Sequence, residues 1–537
     1  MKYILLIFTL LIVLSCEQKE QVDAIVINAN VYTVNESFDT AESIAIKDGK
    51  IVYVGSNDEV FKAFGSENII DANGQTIVPG FIDAHCHFLG LGTNQQSVNL
   101  VGTESFEDVM KRVLDFQKER SQDYILGRGW DQNDWEDKTF PDNVLLNKLF
   151  PNTPVVLTRI DGHAILCNEA ALKLGNVTAT SNIDGGEVIL KNGQLTGILV
   201  DNAENLVMKF WPKQTRAEKI KALLDAQKLC FDLGLTTVDD AGLGIEAIEI
   251  IDSLQKAGDL KMRVYAMVSA TSENLDYYLN KGIVKTDRLN VRSFKVYADG
   301  ALGSRGAMLR EPYKDKHGHY GLMVTSISDL QNTAKRISNS EFQMNTHAIG
   351  DSANHAILQT YKKVLQGKSD RRWRVEHAQV VSPEDFKLFE NIIPSIQPTH
   401  ATSDMYWAED RLGSERVKGA YAFKELLNAN GRVALGTDFP VEYVSPFYTF
   451  YAAVARQDLK HFPEEGYQME NGLSREETLK GMTIWAAYSN FEENEKGSIE
   501  IGKFADFIIL DKDIMTVDVS EIPHIKVKST YLAGELQ

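Results

Sequence analysis

The chain has 537 residues, of which 43% are hydrophobic, and a formal net charge of −19. This length exceeds one typical domain and the composition is ordinary for a soluble globular protein, so we expect a large catalytic domain with additions. The acidic balance and the lack of a long basic run argue against nucleic acid as a partner, because binding to phosphates needs clustered Lys and Arg.

The first residues form a predicted targeting segment. MKYILLIFTLLIVLSC has a basic Lys2 and then an apolar run from Tyr3 to Leu14. This run is shorter than a transmembrane helix normally needs to span a bilayer. Its last four residues resemble a bacterial lipobox. We therefore predict that residues 1–16 are a lipoprotein signal peptide whose Cys16 carries acyl chains, which tether the protein to a membrane of the bacterial cell envelope on the periplasmic or surface face. An ordinary cleaved signal and an uncleaved anchor are the alternatives.

Both ends of the remaining chain contain short strand patterns. Residues 22–75 include DAIVINANVYTV and SIAIKDGKIVYVG, in which Lys-Asp-Gly-Lys is a hairpin turn signal. Residues 497–537 include GSIEIGKFADFIILD and VKSTYLAGELQ. Two β-rich ends that bracket everything else predict one small, sandwich-like β domain built from both termini.

Strands alternate with amphipathic helices between these ends. The strand candidates are TIVPGFIDAHCH, LTTVDDAG, RVYAMV, RSFKVYADG, FQMNTHAIGD, WRVEHAQ, NIIPSIQPTH and RVALGTDFP. Eight strands with helices between most of them predict an α/β fold, a parallel (β/α)₈ TIM barrel over residues 76–496. The stretch from about 95 to 215 is too long and too structured for one connection. We predict that it is an insertion that forms a lid over the barrel mouth.

The first barrel strand carries two histidines in FIDAHCH. Alternate side chains of a strand share a face, so Asp83, His85 and His87 point one way and Cys86 points the other. We expect Cys86 to be a small packed residue. The cysteines that remain after the leader are too few and too widely spaced for a disulfide framework: Cys86, Cys167 and Cys230.

Active sites of such barrels lie at the carboxyl ends of the strands, and ligating side chains collect there. The candidates are His85, His87, Lys295, His347, His377 and Asp438. A single histidine at a strand end is more often a structural hydrogen-bonding residue. Together, these side chains on five strands predict a site for divalent metal.

Lys295 faces the barrel interior by the same alternation. Burial lowers the pKa of a lysine and yields a neutral amine, which can add carbon dioxide. The two oxygens of the resulting carbamate can bridge two metal ions. The alternative is a lysine that forms a salt bridge with Asp299 or Asp438.

These motifs resemble the amidohydrolase superfamily, and more closely its family 3 branch, which includes N-substituted formamide deformylases. The resemblance is carried by GFIDAHCH, KVYADGALGSRGAML, VEHAQ, SIQPTH and GTD. It extends to GRGWDQNDW at 127–135, to PVVLTRIDGHAILCNEAAL at 154–172 and to GSIEIGKFADFIILD near the carboxyl end. It covers nearly all of the mature chain.

The resemblance implies a role for each candidate ligand. His85, His87 and Asp438 would hold the more buried metal. His347 and His377 would hold the second, and the carboxylated lysine would bridge the pair. Zinc is the usual metal at such imidazole-rich sites. A site with one metal is the better interpretation if the lysine is not carboxylated.

Four residues of the family motifs outside the metal ligands are predicted to contact substrate: Trp130, His163, Asp299 and Arg305. His163 would donate a hydrogen bond to the carbonyl or oxyanion, or else cap a loop of the insertion. Arg305 would pair with a substrate carboxylate, or with Asp299, which is placed to orient a substrate amine. Trp130 is alternatively a packing residue of the lid. Asp83 is predicted to orient a ligand rather than to be one.

The implied activity is hydrolysis of a non-peptide C–N bond in a small-molecule amide, with an N-formyl, N-acyl or cyclic amide as the substrate. A metal-activated hydroxide attacks, and Asp438 accepts its proton and passes it to the leaving nitrogen. Deamination, ester hydrolysis or isomerisation on the same scaffold is the alternative, since fold does not fix the reaction. A non-catalytic, ligand-binding surface lipoprotein is the rival from another class. The sequence does not decide whether the protein forms a homodimer.

Overall fold

The computed structural model describes residues 19–121, 123–368 and 370–537. Cys16, the predicted site of lipidation, lies outside the described residues, so the predicted leader and anchor stay predictions. Among the residues described, no helix has both the length and the apolar character needed to cross a bilayer.

A barrel of parallel strands forms the centre of the molecule, and each strand is hydrogen-bonded to the next in chain order. The strands are β1 (Phe81–Cys86), β2 (Leu235–Leu243), β3 (Arg263–Ser269), β4 (Leu289–Tyr297), β5 (Gln343–Ala348), β6 (Arg374–His377), β7 (Ile393–Ile396) and β8 (Ala434–Leu435). A short strand, Val284–Lys285, pairs antiparallel with β4. The predicted (β/α)₈ barrel is therefore confirmed.

The barrel closes between its first strand and the segment after its last. The amide of Asp438 donates to the carbonyl of His85 at 2.8 Å, and the amide of His87 donates to the carbonyl of Phe439 at 2.8 Å. Gly436 makes this approach possible, because a Cβ there would lie 2.5 Å from the His85 nitrogen. The closure brings the two ends of the sheet, and their polar side chains, together.

Helices surround the barrel and bury one apolar face against it. Those that flank the strands span Phe88–Asn94 (α1), Arg216–Asp232 (α2), Ile245–Ala257, Ser272–Lys281, Ile327–Ser338, Asp351–Val364, Phe423–Asn430, Pro446–Ala455, Arg475–Gly481 and Ile484–Ser489. The 3₁₀ segment Pro383–Asn391 and helices Pro398–Asp404 and Ala408–Arg416 complete the β6 to β8 connections. In α2, a capping box of Thr215 and Glu218 fixes the first turn, and Leu223 and Cys230 face the barrel core.

Two sheets from opposite ends of the chain form the small β domain. One contains Glu535–Leu536, Val527–Leu532, Phe507–Leu510, Thr76–Pro79, Asn30–Tyr32 and Thr40–Ala41 in spatial order, and the other Lys50–Gly55, Ser43–Lys47, Ala24–Ile27 and Ile69–Asp71. Val26 and Ile77 share an apolar cluster with Phe507 and Tyr531. This confirms the predicted domain built from both termini. Helix Asn57–Ala63 and the strand pair Glu20–Gln21 and Phe64–Gly65 lie beside it.

The sequence suggested that the run TIVPG starts the first barrel strand, but in the structure it does not. Thr76–Pro79 pairs with Phe507–Leu510 in the β domain, and β1 begins only at Phe81. Pro79 has no N–H to donate, and Gly80 passes so close to Thr236 that a Cβ would lie 2.3 Å from its Cγ2. The two residues therefore break one apolar run into two strands.

The chain between α1 and α2 forms a sheet of its own. Its strands, in spatial order, are Val98–Asn99, Ile125–Trp130, Val155–Arg159, Ala164–Cys167, Gln194–Asp201 and Gly186–Lys191. Its helices are Phe106–Arg120, Val144–Leu149, Glu169–Leu174 and Asn205–Met208. An apolar cluster packs on each side of this sheet. The insertion is therefore a folded unit rather than a loop.

The structure has all three described cysteines as free, buried thiols. Cys86 lies in the apolar layer between the barrel and its helices. Its Sγ is 3.5 Å from the backbone oxygen of Asp239, on the side of β1 opposite to the histidines. The strand alternation thus separates the thiol from the polar interior.

Candidate metal centre

Both histidines at the end of β1 have one ring nitrogen held by a neighbour. His85 is fully buried, and its Nδ1 lies 2.5 Å from Oε2 of Glu376. His87 follows the strand, and its Nδ1 lies 3.0 Å from the backbone oxygen of Ala241. Because a carbonyl oxygen or a carboxylate only accepts, Nδ1 carries the proton in both rings. Each ring therefore presents the lone pair of Nε2.

His377, at the end of β6, repeats this arrangement. Its Nδ1 lies 2.7 Å from Oε1 of Gln397, while Nε2 of Gln397 lies 3.4 Å from the Ser395 carbonyl. The amide oxygen is thus the acceptor, and the Nε2 lone pair of His377 is again free. The ring of His377 lies 4.9 Å from the ring of His85, centroid to centroid. Three imidazoles on two strands face one another with the same nitrogen turned inward.

Asp438 completes the group from the loop after β8. Its Oδ1 lies 3.2 Å from Nε2 of His87 and 3.6 Å from Nε2 of His85, and its Oδ2 lies 3.7 Å from Nε2 of His400. Burial alone would raise the pKa of Asp438, but the surrounding imidazoles hold it well below 3.8. Two sets of possible ligand atoms are present, and the atoms within each set lie within 4.8 Å of one another. The sets are His85, His87 and Asp438, and His377, His400 and Asp438.

Within the described part of the chain, several buried polar atoms of this group have no hydrogen-bond partner. They are Nε2 of His347, Nε2 of His400 and Oδ1 of Asp438. Buried polar atoms are nearly always satisfied, so converging nitrogen and oxygen atoms without a partner fit a bound cation. Burial also lowers the pKa of His85, His347, His377 and His400, which keeps the imidazoles in their neutral, ligating form. Imidazole with carboxylate is a donor set that suits zinc and similar divalent metals.

Lys295 lies on β4 and points into the same interior. Its Nζ is 3.0 Å from Nε2 of His85, and burial lowers its pKa to about 8. Within the described residues, its Nζ forms no ion pair with Asp299 or Asp438, the alternative that the sequence left open. The structure therefore places a lysine whose charged form is disfavoured by burial directly beside His85, a candidate ligand.

His400 belongs to the second ligand set, although the strand-end rule did not select it. It lies four residues beyond β7, on the first turn of helix Pro398–Asp404, rather than at the strand end itself. The motif SIQPTH, already part of the family resemblance, was the available signal. His347 is buried on β5, with its ring 4.6 Å from that of His377. Its predicted role as a ligand stays a prediction.

Glu376 and Gln397, which hold the imidazoles, were also missed. Glu376 directly precedes His377, and neighbouring residues of a strand normally face opposite ways. His377 has a φ of 73°, which turns its ring toward the interior beside Glu376. Such a conformation is unusual for a residue other than glycine and is typical of functional sites.

A cavity of about 1230 Å³ extends from this group of side chains. The barrel contributes His87, Lys295, His377 and Asp438 among its lining residues, and the insertion contributes a second wall. The insertion residues with charged or titratable side chains are Arg128, Asp131, Asp134, Arg159, Asp161, His163, Asp201 and Glu204. The volume accommodates a small organic substrate.

His163, a predicted substrate contact, lies on this second wall. Its Nδ1 is 2.7 Å from Oδ1 of Asp201, and its ring is 5.1 Å from the ring of His347. Burial disfavours its charged form, but the hydrogen bond to Asp201 outweighs this and raises the pKa of His163 to about 9. Asp201 has φ 51° and ψ −126° and fits between two glycines: a Cβ on Gly300 or Gly306 would come within 2.6 Å or 2.5 Å of its carboxylate.

The structure places Trp130 in the apolar core of the insertion, where its Nε1 donates to the carbonyl of Leu157 at 2.7 Å. Arg305 is paired with Asp315 at 2.9 Å and lines a separate cavity of about 720 Å³. The predicted contacts of Trp130 and Arg305 with substrate stay predictions. Trp130 occupies the packing position that the sequence gave as its alternative.

Asp299 and Asp83 are buried and bound to backbone amides. Asp299 accepts from the amides of Met308, Ile349 and Gly350 at 2.8 to 3.0 Å, and so ties the loop after β4 to the end of β5. Asp83 accepts from the amides of His85 and Thr437 at 3.2 and 3.0 Å. Both carboxylates hold backbone near the candidate ligands, and a contact between Asp299 and a substrate amine stays a prediction.

Nearly the whole chain is similar to proteins of one family. Residues 68–536 match the model of the amidohydrolase family. Protein LONG AFTER FAR-RED 3 of Arabidopsis thaliana is 33% identical over 538 residues, with 96% of this chain and 91% of the plant protein covered. N-substituted formamide deformylase of Arthrobacter pascens is 25% identical over 545 residues, with 96% and 98% covered.

A solved structure agrees with this assignment. The crystal structure of an uncharacterized metal-dependent hydrolase from Pyrococcus horikoshii has a TM-score of 0.75 to this chain at 27% identity, and covers 92% of this chain and 99% of its own. The family match contains both sets of candidate ligands and the cavity beside them. The chain therefore belongs to the amidohydrolase family and is a metal-dependent hydrolase.

Proposed function

We propose that this chain hydrolyses a non-peptide amide C–N bond in a small molecule, with a formyl group, another small acyl group or a cyclic amide as the acyl part. The observation that carries the proposal is the convergence of His85, His87 and His377, each held through Nδ1, around Asp438 at the cavity. The similarity to an N-substituted formamide deformylase supports a C–N bond as the target.

The residues fit a divalent metal, for which we propose zinc, as one ion or two. The proposed ligands are His85, His87, His347, His377, His400 and Asp438. A bound metal supplies the positive charge that ionises a water molecule near neutral pH and polarises a carbonyl group. The protein contributes the neutral imidazoles and fixes their orientation through Glu376, Gln397 and the carbonyl of Ala241.

Two side chains handle the proton and the charge of the reaction. The carboxylate of Asp438 is ionised, so it is able to accept the proton of the attacking water and to pass it to the leaving nitrogen. His163 is positively charged at neutral pH, because the hydrogen bond to Asp201 stabilises its doubly protonated ring. From the cavity wall, it is placed to donate a hydrogen bond to the oxygen on which negative charge develops.

We further propose that Lys295 is carboxylated when two metals are present. The amine attacks carbon dioxide, a N–C bond forms, and the proton that the nitrogen loses passes to solvent. The lowered pKa of Lys295 favours this step because only the neutral amine is nucleophilic. The new anionic group would lie beside His85, where it adds a ligand that a lysine cannot offer.

A screen of metal-loaded protein against N-formyl, N-acyl and cyclic amides tests the proposed activity. We expect turnover of one of these classes, and a loss of at least about 1,000-fold in kcat for Asp438→Asn while the variant keeps its fold. The matched control is His524→Ala, an exposed histidine of the β domain, which should retain full activity. Protein that binds no metal, or full turnover by Asp438→Asn, would contradict the proposal.

We also propose that acyl chains on Cys16 anchor the protein to a membrane. The described chain begins three residues later, and Glu20–Gln21 pairs with Phe64–Gly65 beside the β domain, so the anchor would attach next to that domain. Mass spectrometry of the amino-terminal peptide should detect a lipidated cysteine, and Cys16→Ser should release the protein from the membrane fraction. An unmodified cysteine in membrane-bound protein would exclude the lipid anchor.

A further inference from the structure

Arg128 lies on the cavity wall with few partners of its own. Its Nη2 donates to the carbonyl of Ile160 at 2.9 Å, and its Nε is buried without a hydrogen-bond partner. Throughout 19–121, 123–368 and 370–537, no carboxylate forms an ion pair with this guanidinium. Since an arginine has five N–H donors, the described residues take up only a small part of its capacity to donate hydrogen bonds.

A second arginine of the insertion, Arg159, has a fully paired guanidinium and serves as a comparison. Arg159 is bound by the carboxylates of Asp131 and Asp161 on two sides, and its Nε donates to Gln132 at 2.9 Å. Its charge is therefore compensated within the protein. Arg128, by contrast, has no such carboxylate pair among the described residues.

The local backbone directs Arg128 toward the cavity. A bulge lies between Arg128 and Trp130, and Gly129 within it has a φ of 112°. Only glycine fits at this position, because a Cβ would lie 2.5 Å from Cγ2 of Val101. The bulge turns Trp130 into the insertion core while Arg128 stays with Leu126 on the cavity wall. The motif GRGW thus presents a guanidinium to the cavity.

Nearby acids do not cancel this charge. Asp161 is committed to Arg159, and Asp201 to His163. Burial raises the pKa of Glu204 well above 4.5, which disfavours its charged form. Burial also lowers the pKa of Arg128, which is the result expected for a charge that its surroundings compensate only in part.

We propose that Arg128 binds a carboxylate of the substrate, so that the enzyme acts on amides that carry an acid group, such as N-acylated amino acids. This inference rests on the proposed amide hydrolysis and names its substrate class. The planar guanidinium matches a carboxylate through two parallel hydrogen bonds. Arg128 and the candidate metal ligands line one cavity, and the charge of Asp438 acts on Arg128. One small molecule in this cavity is therefore able to offer its acid group to Arg128 and its amide to the candidate ligands.

Binding of a matched pair of uncleavable ligands tests this inference without turnover. In 4-oxopentanoate, a methylene group replaces the amide nitrogen of N-acetylglycine, and 4-oxopentanamide is its uncharged counterpart. We expect wild-type protein to bind the acid about 10- to 100-fold more tightly than the amide in an NMR titration. Arg128→Met should abolish this preference, and Arg128→Lys should retain part of it.

The control is Arg336→Met, on the outer helix Ile327–Ser338, where the arginine is paired with Asp276 at 2.6 Å. It should keep the wild-type preference. Equal binding of acid and amide by the wild type, or an unchanged preference in both Arg128 variants, would overturn the inference. Melting temperatures identify any variant that has lost its fold. If Arg128→Met is unfolded, the test rests on Arg128→Lys: a reduced preference for the acid supports the inference, and an unchanged preference overturns it.

Kinetics with N-acetylglycine and N-acetylglycinamide separate this inference from the proposed function. If Arg128 recognises the acid, the ratio of their kcat/KM values should fall about 10- to 100-fold in Arg128→Met. A preference for binding the acid without hydrolysis of any amide would refute the proposed reaction but keep the role of Arg128. Hydrolysis of both compounds at equal kcat/KM by the wild type would refute the carboxylate inference alone.

Discussion

At the scale of single residues, the candidate metal centre depends on side chains that hold the ligands as much as on the ligands themselves. Glu376 contacts Nδ1 of His85 at 2.5 Å, and Gln397 contacts Nδ1 of His377 at 2.7 Å. Each partner fixes both the tautomer and the orientation of its ring. The charge of Glu376 also makes the His85 imidazole a better electron donor.

Replacing Glu376 by Gln should therefore weaken metal binding. The amide keeps the shape and an acceptor oxygen but removes the negative charge, and such changes usually cost about 10- to 100-fold in metal affinity. A competition titration with a chelator measures this for zinc. Glu384→Gln, which changes an exposed partner of Arg310, should leave the affinity unchanged. Equal affinities for Glu376→Gln and wild type would show that Glu376 does not support the ligand.

Lys295→Ala should lose most amide hydrolysis if its carbamate is a metal ligand. Short carboxylic acids such as acetate and propionate should then restore part of the activity, because their two oxygens take the place of the missing bridge. Initial rates at increasing acid concentration measure the rescue. The same acids should not rescue Asp438→Asn, because the asparagine side chain fills the space that an added carboxylate would need. Without rescue of Lys295→Ala, a site with a single metal becomes the better interpretation.

At the scale of elements, regular strands were predictable and departures from regular geometry were not. The eight barrel strands are apolar runs with polar residues at their ends, and alternation correctly put Asp83 and His85 on one face of β1. The same rule puts Trp130 on the face of Arg128, but the bulge at Gly129 reverses it. A bulge or a positive φ is set by tertiary packing, which a strand pattern does not encode.

The join between β1 and β8 should be sensitive to a single methyl group. In Gly436→Ala the new Cβ would lie 2.5 Å from the nitrogen and 2.8 Å from the oxygen of His85, which are backbone atoms that no rotamer change can move away. We expect the free energy of unfolding to fall by about 2–3 kcal/mol and metal affinity to fall with it. Urea denaturation and a chelator titration measure the two effects.

Gly244 provides the control for this prediction, because nothing lies within 4 Å of the Cβ that an alanine would add there. Gly244 caps the helix Ile245–Ala257, so Gly244→Ala should cost less than about 1 kcal/mol of stability and leave metal affinity unchanged. If Gly436→Ala were as stable as Gly244→Ala, the barrel would close less tightly at this point than the hydrogen bonds from Asp438 and His87 indicate.

At the scale of the whole molecule, buried charges join distant parts of the chain. Glu492 lies 2.7 Å from Nζ of Lys285, 207 residues away, and 2.6 Å from Nζ of Lys496. Burial alone would raise the pKa of Glu492, but the two lysines lower it to about 2. Its ordinary value is 4.5. The folded state therefore holds the ionised form more strongly than the unfolded chain does.

This difference predicts a stability that depends on pH. The contribution of Glu492 is fully present above pH 4.5 and is lost as the pH falls from 4.5 to about 2, and it amounts to about 3 kcal/mol. Glu492→Gln should lower the free energy of unfolding at pH 6 and flatten its decline below pH 4.5. Urea denaturation between pH 3 and pH 6 measures both. Glu415→Gln, at an exposed pair with Lys418, should match the wild type at every pH.

The small β domain also constrains the order in which the polypeptide is able to assemble. Thr76–Pro79 lies directly before β1, yet its partner Phe507–Leu510 leaves the ribosome more than four hundred residues later. Until then, an apolar edge beside β1 and its candidate metal ligands remains open to wrong pairing. Premature termination before this partner would leave the histidines of β1 intact and still expose that edge permanently, so such fragments should be substrates for chaperones and proteases.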